Sequence, residues 1–357
     1  KMGADEKRSR KIGQLRSIIG MNEEGKDELD YAFKVVELAT ELLVEDLDSS
    51  LSLDHHSQLW SALKWSIDRA KGSTKDKISL TNTASSVASA FSCLMNLLYL
   101  LDSEYELPCS NAPSPFMSTP SHSLKKGEAS DESKTTILSY LSVRVGDLFR
   151  YKKDIAASAQ WYRYAITVDP SNGEGWNQIG ILSAQLGSPL DAVYSYYRAT
   201  FTSNPSTIAS SNILTILDAQ LDGDPEEMED DSFVLHSLAL IHYLRPLPPP
   251  LLSRLSPLLS SPRRLLPFIA ALSSLDHHSS TSSSLLNLFH EGFEKLKEEI
   301  LHSETPLDSS CLATLTLYSR VLSSQSIDSL LEGRSREDSD LFQMDHFICY
   351  PHSSSSQ

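Results

Sequence analysis

Two neighbouring stretches decide the fold of this chain: VGDLFRYKKDIAASAQWYRYAITVDP at residues 145–170 and WNQIGILSAQLGSPLDAVYSYYRAT at residues 176–200. They place small and aromatic residues at the same spacing, 34 positions apart. The matched pairs are Gly146 with Gly180, Tyr162 with Tyr196, and Ala165 with Ala199.

A period of 34 residues with this residue pattern is typical of the tetratricopeptide repeat, a pair of antiparallel helices. The small residues let the two helices approach closely, and the aromatic residue fills the gap between them. Because stacked repeats bury one continuous core and curve, the pattern predicts a concave helical surface that receives a partner.

The charge of the chain is strongly acidic. It carries 47 Asp and Glu residues against 31 Lys and Arg, a formal net charge of −16. Proteins that bind nucleic acids broadly have the opposite balance, because Lys and Arg neutralise the phosphates. We therefore expect no direct contact with nucleic acid, and a local basic pocket would stand out against the acidic background.

The cysteines and the N-terminus indicate the compartment. The four cysteines are widely spaced and form no CxxC pair, so neither a zinc cluster nor a disulfide framework is predicted: Cys93, Cys109, Cys311 and Cys349. The N-terminal KMGADEKRSRKIGQLR is charged where a signal peptide needs an apolar core, and no stretch approaches about 20 uninterrupted apolar residues. We expect a soluble cytoplasmic protein without membrane contact, with shuttling to the nucleus as the alternative.

The apolar residues recur at helical spacing along most of the chain, and no strand pattern persists, which predicts an all-α protein. Outside the repeats, the predicted helices span 27–47, 57–70, 78–102, 206–221, 233–244, 263–274, 283–303 and 308–332.

Composition also predicts the domain boundaries. Residues 110–134 contain few large apolar side chains and are predicted to be a mobile loop between helices. The acidic, turn-rich DGDPEEMEDD at 222–231 predicts a boundary. It separates an N-terminal domain at 1–225, which contains the repeats, from a C-terminal domain of helical hairpins at 226–335. Residues 336–357 are predicted to be a tail.

A proline-rich segment, RPLPPPLLSRLSPLLSSPRR, follows at 245–264. Three consecutive prolines stop helices and favour an extended polyproline conformation. We interpret the segment as a rigid connector, with a ligand for an aromatic groove as the alternative.

Enzymatic and metal-binding signatures are missing from the sequence. His55 with His56, and His277 with His278, are adjacent pairs that point apart on a helix, and HExxH spacing is absent. There is no GxSxG elbow and no P-loop, and GEGWNQIG at 173–180 lacks the strand that a dinucleotide-binding motif requires. We expect no enzyme, no metal and no cofactor.

The repeat register indicates one candidate binding site. Arg150 and Tyr151 lie one turn beyond Gly146, and these positions, like that of Asn177 in the second repeat, line the inner groove in this repeat class. A guanidinium matches phosphate oxygens, while a phenol and an amide orient a ligand by hydrogen bonds. The alternative is a surface ion pair between Arg150 and Asp147 at i−3.

The repeat region resembles a known family. GDLFRYKKDIAASAQWYRYAITVDPSNGEGWNQIGILSAQLG at 146–187, with YSYYRAT at 194–200, is similar to the SMG-type adaptors of nonsense-mediated mRNA decay, which are related to the ever-shorter-telomere proteins. PSNG followed by NQIGILSAQLG is the specific part, since a generic repeat does not require it. Weaker similarities are LVEDL at 43–47, ALKWSI at 62–67, ASAFSCLMNLL at 88–98, LPC at 107–109 and FVLHSLALIHYL at 233–244.

The resemblance implies a 14-3-3-like domain of nine helices that binds phosphoserine or phosphothreonine. Its pocket uses a lysine on an early helix and the arginine of an RY pair. By motif these are Lys64 in ALKWSI and Arg150 in GDLFRYK. Tyr151 completes the RY pair, and Asn177 is the matching amide.

The resemblance also implies partners. These are the phosphorylated tail of the up-frameshift RNA helicase, the fifth SMG protein as the other half of a heterodimer, and mRNA deadenylation and decapping factors bound through further regions. The small residues of helix 78–102 make it a candidate contact for the heterodimer, although they serve internal packing equally well. Two alternatives remain: a scaffold that binds an unmodified peptide, and a telomerase-associated subunit.

Overall fold

The computed structural model describes residues 3–20, 28–72, 77–114, 127–243 and 249–259, together with Arg264 and Pro267. Apart from those two residues, the helices predicted beyond residue 259 and the predicted tail lie outside the described residues.

The described residues form twelve α-helices and no strand, which confirms the all-α prediction. A single isolated bridge joins Asn172 and Asn204. The helices are α1 (Ala4–Ile19), α2 (Glu28–Glu45), α3 (Leu47–Ser52), α4 (His55–Gly72), α5 (Lys77–Tyr105), α6 (Asp131–Tyr151), α7 (Ile155–Val168), α8 (Gly173–Gln185), α9 (Pro189–Phe201), α10 (Ala209–Asp218), α11 (Asp230–His242) and α12 (Pro249–Leu258).

The chain divides into two compact units, Lys1–Asp169 and Pro170–Gln357. The first contains α1 to α7 and the second contains α8 to α12. The division falls between the two repeats, so each unit holds one complete helical pair. The domain boundary expected between residues 225 and 226 stays a prediction.

A cluster of aliphatic and aromatic side chains forms the core of the first unit. In this unit α4 packs against α2 and α5, and α6 packs against α5 and α7. The long apolar half of α5 supplies several of the most deeply buried side chains, Leu94, Leu98 and Leu101, and Trp161 of α7 joins the same cluster. The cluster holds α4 and α6 in place, which matters because these two helices carry the predicted site.

Glycine and tyrosine meet inside each repeat, as the 34-residue register predicts. A Cβ atom added to Gly146 would lie 2.5 Å from Cε1 of Tyr162, and one added to Gly180 would lie 2.5 Å from Cε1 of Tyr196. Each tyrosine ring therefore packs directly on the backbone of the preceding helix, at a distance that only glycine permits. The equal distances confirm that the two helical pairs repeat one packing motif.

Helix α6 begins earlier than its sequence pattern predicts. It starts at Asp131, so the predicted loop 110–134 is wrong for its last four residues. The reason is a cap: the Ser130 hydroxyl accepts a hydrogen bond from the Ser133 amide at 3.1 Å, and Asp131 and Glu132 favour the first turn through the helix dipole. Of the remaining loop, residues 115–126 lie outside the described residues.

The proline-rich segment is partly helical, which corrects the predicted extended connector. Helix α12 runs from Pro249 to Leu258 and contains Pro257. Pro249 and Pro250 occupy its first turn, where amide groups have no intrahelical acceptor, so prolines cost little there. Residues 244–248 lie outside the described residues.

Helix α5 is both long and apolar. Its segment Thr81–Tyr105 is long and apolar enough to cross a membrane, with a mean hydropathy of 1.5 in its most apolar window, of which 39% is buried inside the protein. The expectation that no stretch approaches a membrane span is therefore too strict, because Ser and Thr interrupt the apolar residues here without adding charge. Core helices of soluble proteins meet the same criterion.

Candidate functional site

Three of the four predicted site residues lie together in the first unit. Lys64 is on α4, and Arg150 and Tyr151 form the end of α6. Side chains of the two helices meet along their length: Arg144 of α6 lies over the ring of Trp60 of α4. Lys64 and Arg150 of the predicted site lie among other charged residues. We refer to the six together as the α4–α6 charged cluster: Lys64, Asp68, Lys71, Arg144, Asp147 and Arg150.

Asp147 organises the α6 side of this cluster. Its carboxylate is buried and accepts hydrogen bonds from Arg144 Nη1 at 3.0 Å, from Arg150 Nη2 at 3.1 Å and from the Tyr162 hydroxyl at 2.8 Å. Arg150 Nε also donates to the Tyr162 hydroxyl, at 3.2 Å. The Asp147–Arg150 contact that the sequence left open is therefore present. It holds the guanidinium in one orientation while 19% of the side chain stays exposed.

The electrostatics keep Arg150 charged. Burial opposes the charged guanidinium, but the contacts with Tyr162 and Asp147 outweigh it and keep the pKa of Arg150 above its usual value. Burial, with the Asp147 carboxylate, raises the pKa of the Tyr151 hydroxyl, although Arg150 and Lys64 act against this shift. At neutral pH the site therefore presents a cation beside a neutral phenol.

The α4 side of the cluster is a short charged ladder. Asp68 accepts hydrogen bonds from Lys64 Nζ at 2.6 Å and from Lys71 Nζ at 3.2 Å. The hydrogen bond to Asp68 raises the pKa of Lys64, and the Tyr151 and Asp147 side chains add to this shift across the gap between the helices. Half of the Lys64 side chain is exposed, so its ammonium group is accessible to a ligand.

Asn177 lies in the second unit, on α8, and is fully buried. Its Oδ1 accepts a hydrogen bond from Nδ2 of Asn212 on α10 at 3.0 Å. Its own Nδ2 is buried and has no hydrogen-bond partner among the described residues. The role of Asn177 as the amide that orients a ligand stays a prediction.

Several neighbours in the site were not anticipated from the sequence. Lys71 and Asp68 follow Lys64 by seven and four residues, a spacing that puts all three on one face of a helix. This spacing can be read from the sequence, but it indicates a binding site only once that face of α4 is known to contact α6. Arg144 precedes Asp147 by three residues and could have been found by the same rule that suggested the Arg150 contact.

The histidines give no sign of a metal site within the described part of the chain, where no group of three His, Cys, Asp or Glu residues is arranged to hold a metal ion. Burial lowers the pKa of both His55 and His56, and the His56 ring packs edge-on against Tyr140. His277 and His278 lie outside the described residues.

Comparisons with known proteins agree with the family resemblance. Residues 158–234 match the family described as the Est1 DNA/RNA binding domain. The nonsense-mediated mRNA decay factor SMG7 of Danio rerio is 31% identical over 90 residues, which are 25% of this chain and 8% of SMG7. The telomerase-binding protein EST1A of Danio rerio is 33% identical over 79 residues, 20% of this chain and 5% of EST1A.

The fold has a close counterpart among solved structures. The structure of the C. elegans SMG5–SMG7 complex contains a chain that superposes with a TM-score of 0.66 at 19% identity, covering 92% of this chain and 86% of that one. The similarity confirms the 14-3-3-like helical fold that the resemblance implies. The sequence matches are short: the aligned part covers less than a tenth of the length of each of the two curated relatives.

Proposed function

We propose that this chain, whose repeat region is similar in sequence to SMG7 and EST1A and whose fold is that of a chain in the SMG5–SMG7 complex, is a non-enzymatic adaptor in nonsense-mediated mRNA decay. It binds a phosphoserine- or phosphothreonine-containing tail of the up-frameshift RNA helicase. It pairs with an SMG5-like partner and brings mRNA decay factors to the complex in the cytoplasm. The observation that carries the proposal is the α4–α6 charged cluster, which holds four cations and two carboxylates in a chain of net charge −16.

The cluster suits a phosphate group in charge and in geometry. A phosphoserine carries about 1.5 to 2 negative charges and three strong acceptor oxygens, whereas serine offers one neutral hydroxyl. Lys64 supplies an accessible ammonium group, and Arg150 supplies a planar guanidinium already oriented by Asp147 and Tyr162. Because Arg150 is held before the ligand arrives, little conformational entropy is lost when it binds phosphate.

A groove on another face of the first unit supports the proposed pairing. It has a volume of about 710 Å³, lies between α2, α4 and α5, and is lined by Phe33, Trp65 and the small residues Ser85, Ser86 and Ser89 among others. Phe33 is 60% exposed and adds a large apolar surface to the groove. Small residues let a helix of a partner approach closely, so we assign this groove, and with it the Ala- and Ser-rich part of α5, to a related 14-3-3-like subunit.

Direct nucleic-acid binding is not part of the proposal, although the matched family is described as a DNA/RNA binding domain. Residues 158–234 contain eleven Asp and Glu residues and only two basic residues, Arg163 and Arg198. A surface with this balance repels a phosphate backbone. The similarity to EST1A favours a telomerase-associated subunit as the second candidate function, one that acts through protein contacts.

Fluorescence anisotropy tests the proposed ligand. Two labelled Ser-Gln peptides, one phosphorylated and one unmodified, are each titrated with the wild-type chain. The same titrations are repeated with the Lys64→Gln and Arg150→Gln variants of the chain. We expect binding of the phosphorylated peptide alone, weakened by about tenfold or more in each variant because a charge-assisted hydrogen bond contributes about 1.5 to 3 kcal/mol. Equal binding of both peptides would instead support a scaffold that recognises an unmodified partner.

The partner claim has its own test. Coexpression with an SMG5-like protein followed by size-exclusion chromatography should give a one-to-one complex, and Ser89→Arg should abolish it by placing a large charged side chain at an exposed position of the groove. A complex that survives Ser89→Arg would contradict the assignment of the groove.

A further inference from the structure

Arg8 of α1 and His55 at the start of α4 carry buried nitrogen atoms that have no hydrogen-bond partner among the described residues. These atoms are Nε and Nη2 of Arg8 and Nδ1 of His55. His55 is only 2% exposed, so its ring is enclosed by the protein. A buried polar atom without a partner costs free energy, and each such atom in a folded protein indicates an ion, an ordered water or a functional role.

The two residues lie close to each other and to Arg16. Burial is the largest cause of the lowered pKa of His55, and the guanidinium groups of Arg8 and Arg16 lower it further. His56 adds to this shift, and the Asp54 carboxylate opposes it. Arg8 and Arg16 are separated by about 80° around the axis of α1, so they share one side of this helix. The His55 imidazole is therefore neutral at neutral pH and lies in a positive field.

Carboxylates of the protein neutralise only part of this charge. Nη1 of Arg8 donates a hydrogen bond to Asp46, which leaves the edge of the guanidinium formed by Nε and Nη2 unpaired. Arg16 is exposed, and it forms no ion pair with a carboxylate of the described residues. The side of α1 that faces His55 thus keeps an excess of positive charge in a chain of net charge −16.

The unpaired donors fit a tetrahedral oxyanion. The Nε and Nη2 edge of an arginine presents two parallel N–H groups, which bind two oxygens of one anion. Nδ1 of His55 can donate to a third oxygen, and Arg16 adds a positive charge at the surface. A carboxylate has two oxygens, whereas phosphate and sulfate supply the third. Because His55 and these nitrogens of Arg8 are buried, the site fits a free ion better than a phosphorylated protein segment.

We propose that Arg8, Arg16 and His55 form a binding site for a free tetrahedral oxyanion, phosphate or sulfate, and that binding of this anion favours protonation of His55. The bound anion offsets the two guanidinium groups, so the anion and the proton bind together. Lys64 follows His55 on α4 by about 14 Å along the helix, so the α4–α6 charged cluster does not share this anion. The site is independent of the proposed function, which uses neither Arg8 nor His55.

NMR of the histidine rings observes the site directly. The pKa of His55 is measured in sodium chloride and in sodium sulfate of equal ionic strength, and His55→Gln assigns the signal. Sulfate is the probe because it keeps both charges throughout the titration. An anion at this distance favours the charged imidazole, so sulfate should bind the protonated form about tenfold more tightly than the neutral form. The result expected is a higher pKa of His55 in sulfate than in chloride.

Substitutions on α1 separate the site from general charge effects. Arg8→Lys keeps the charge beside Asp46 but lacks the two parallel N–H groups, so sulfate should bind about tenfold more weakly. Arg16→Gln should weaken binding about three- to fivefold, because Arg16 is exposed. Arg10→Gln is the matched control, since Arg10 is also exposed but lies about 200° around the helix from Arg8. It should match the wild type within about twofold.

The outcomes are separate from those that test the proposed function. If sulfate leaves the pKa of His55 unchanged, or if Arg16→Gln and Arg10→Gln bind sulfate equally, the proposed anion site is wrong. Melting temperatures check that the variants fold, and Arg16→Gln decides the matter if Arg8→Lys does not. Arg150→Gln should leave the effect of sulfate on His55 intact. Loss of the effect in that variant would show that His55 responds to the α4–α6 charged cluster and would overturn the separate site.

Discussion

Replacing Gly180 with alanine should destabilise the second repeat, although alanine is the better helix former. The new Cβ atom would lie 2.5 Å from Cε1, 2.6 Å from Cδ1 and 3.0 Å from Cζ of Tyr196. Carbon atoms in favourable contact are about 3.5 to 4.0 Å apart, so the ring or the helix must withdraw by about 1 Å. Tyr196 is buried and cannot turn into solvent without opening the core.

The magnitude follows from two opposing effects. Overfilling a packed core costs about 1 to 3 kcal/mol, while replacing a helical glycine with alanine gains about 1 kcal/mol. We expect a net loss between about 0 and 2 kcal/mol, too variable to interpret alone. Gly13 provides the reference, because it lies within α1 and an added Cβ atom would meet nothing within 4 Å. Gly13→Ala should therefore show only the gain.

The assay is urea unfolding followed by circular dichroism, with the free energy of unfolding compared among the wild type, Gly180→Ala and Gly13→Ala. The Gly180 variant should be about 1 to 3 kcal/mol less stable than the Gly13 variant. In Gly180→Ala combined with Tyr196→Leu, the alanine should no longer be harmful, because the side chain it strikes is gone. If Gly180→Ala and Gly13→Ala stabilise the chain equally, the glycine–tyrosine packing that defines the repeat is not present.

Two further changes test the network around the site and the start of α6. Asp147→Asn should lower the free energy of unfolding by about 1 to 3 kcal/mol in urea titrations, because Arg144, Arg150 and Tyr162 lose a buried charged acceptor; an unchanged midpoint would show that the network does not stabilise the fold. Hydrogen bonds from Ser133 and Ser130 hold the pKa of Asp48 below its ordinary 3.8, so its stabilisation should be complete above about pH 4 and lost as the pH falls through the lowered pKa of the folded state. The stability difference between the wild type and Asp48→Asn should accordingly shrink between pH 5 and pH 2, and a difference that is independent of pH would contradict this assignment.

The repeat could be predicted from the sequence because its packing is local. Gly146 and Tyr162 lie on two consecutive antiparallel helices, and so do Gly180 and Tyr196. Their spacing in the sequence therefore corresponds directly to a contact in space. Arg150 and Tyr151 could be placed for the same reason, since they lie one turn after Gly146 on the same helix.

The rest of the site depends on contacts between distant segments. Lys64 came from the family resemblance alone, and Lys71 and Asp68 were missed because nothing in the sequence of α4 shows that this face meets α6. The start of α6 and the helical prolines of α12 were misjudged for a different reason. Ser130 and Pro249 are residues typical of loops, but each is also favoured at the beginning of a helix.

A crystal structure of the chain with a phosphoserine peptide would test the central claim most directly. The account predicts that the phosphate lies in the α4–α6 charged cluster, with its oxygens within about 3.2 Å of Lys64 Nζ and of the Arg150 guanidinium, near the upper limit of a hydrogen bond. A phosphate bound elsewhere, or a peptide held with its phosphate in solvent, would contradict it.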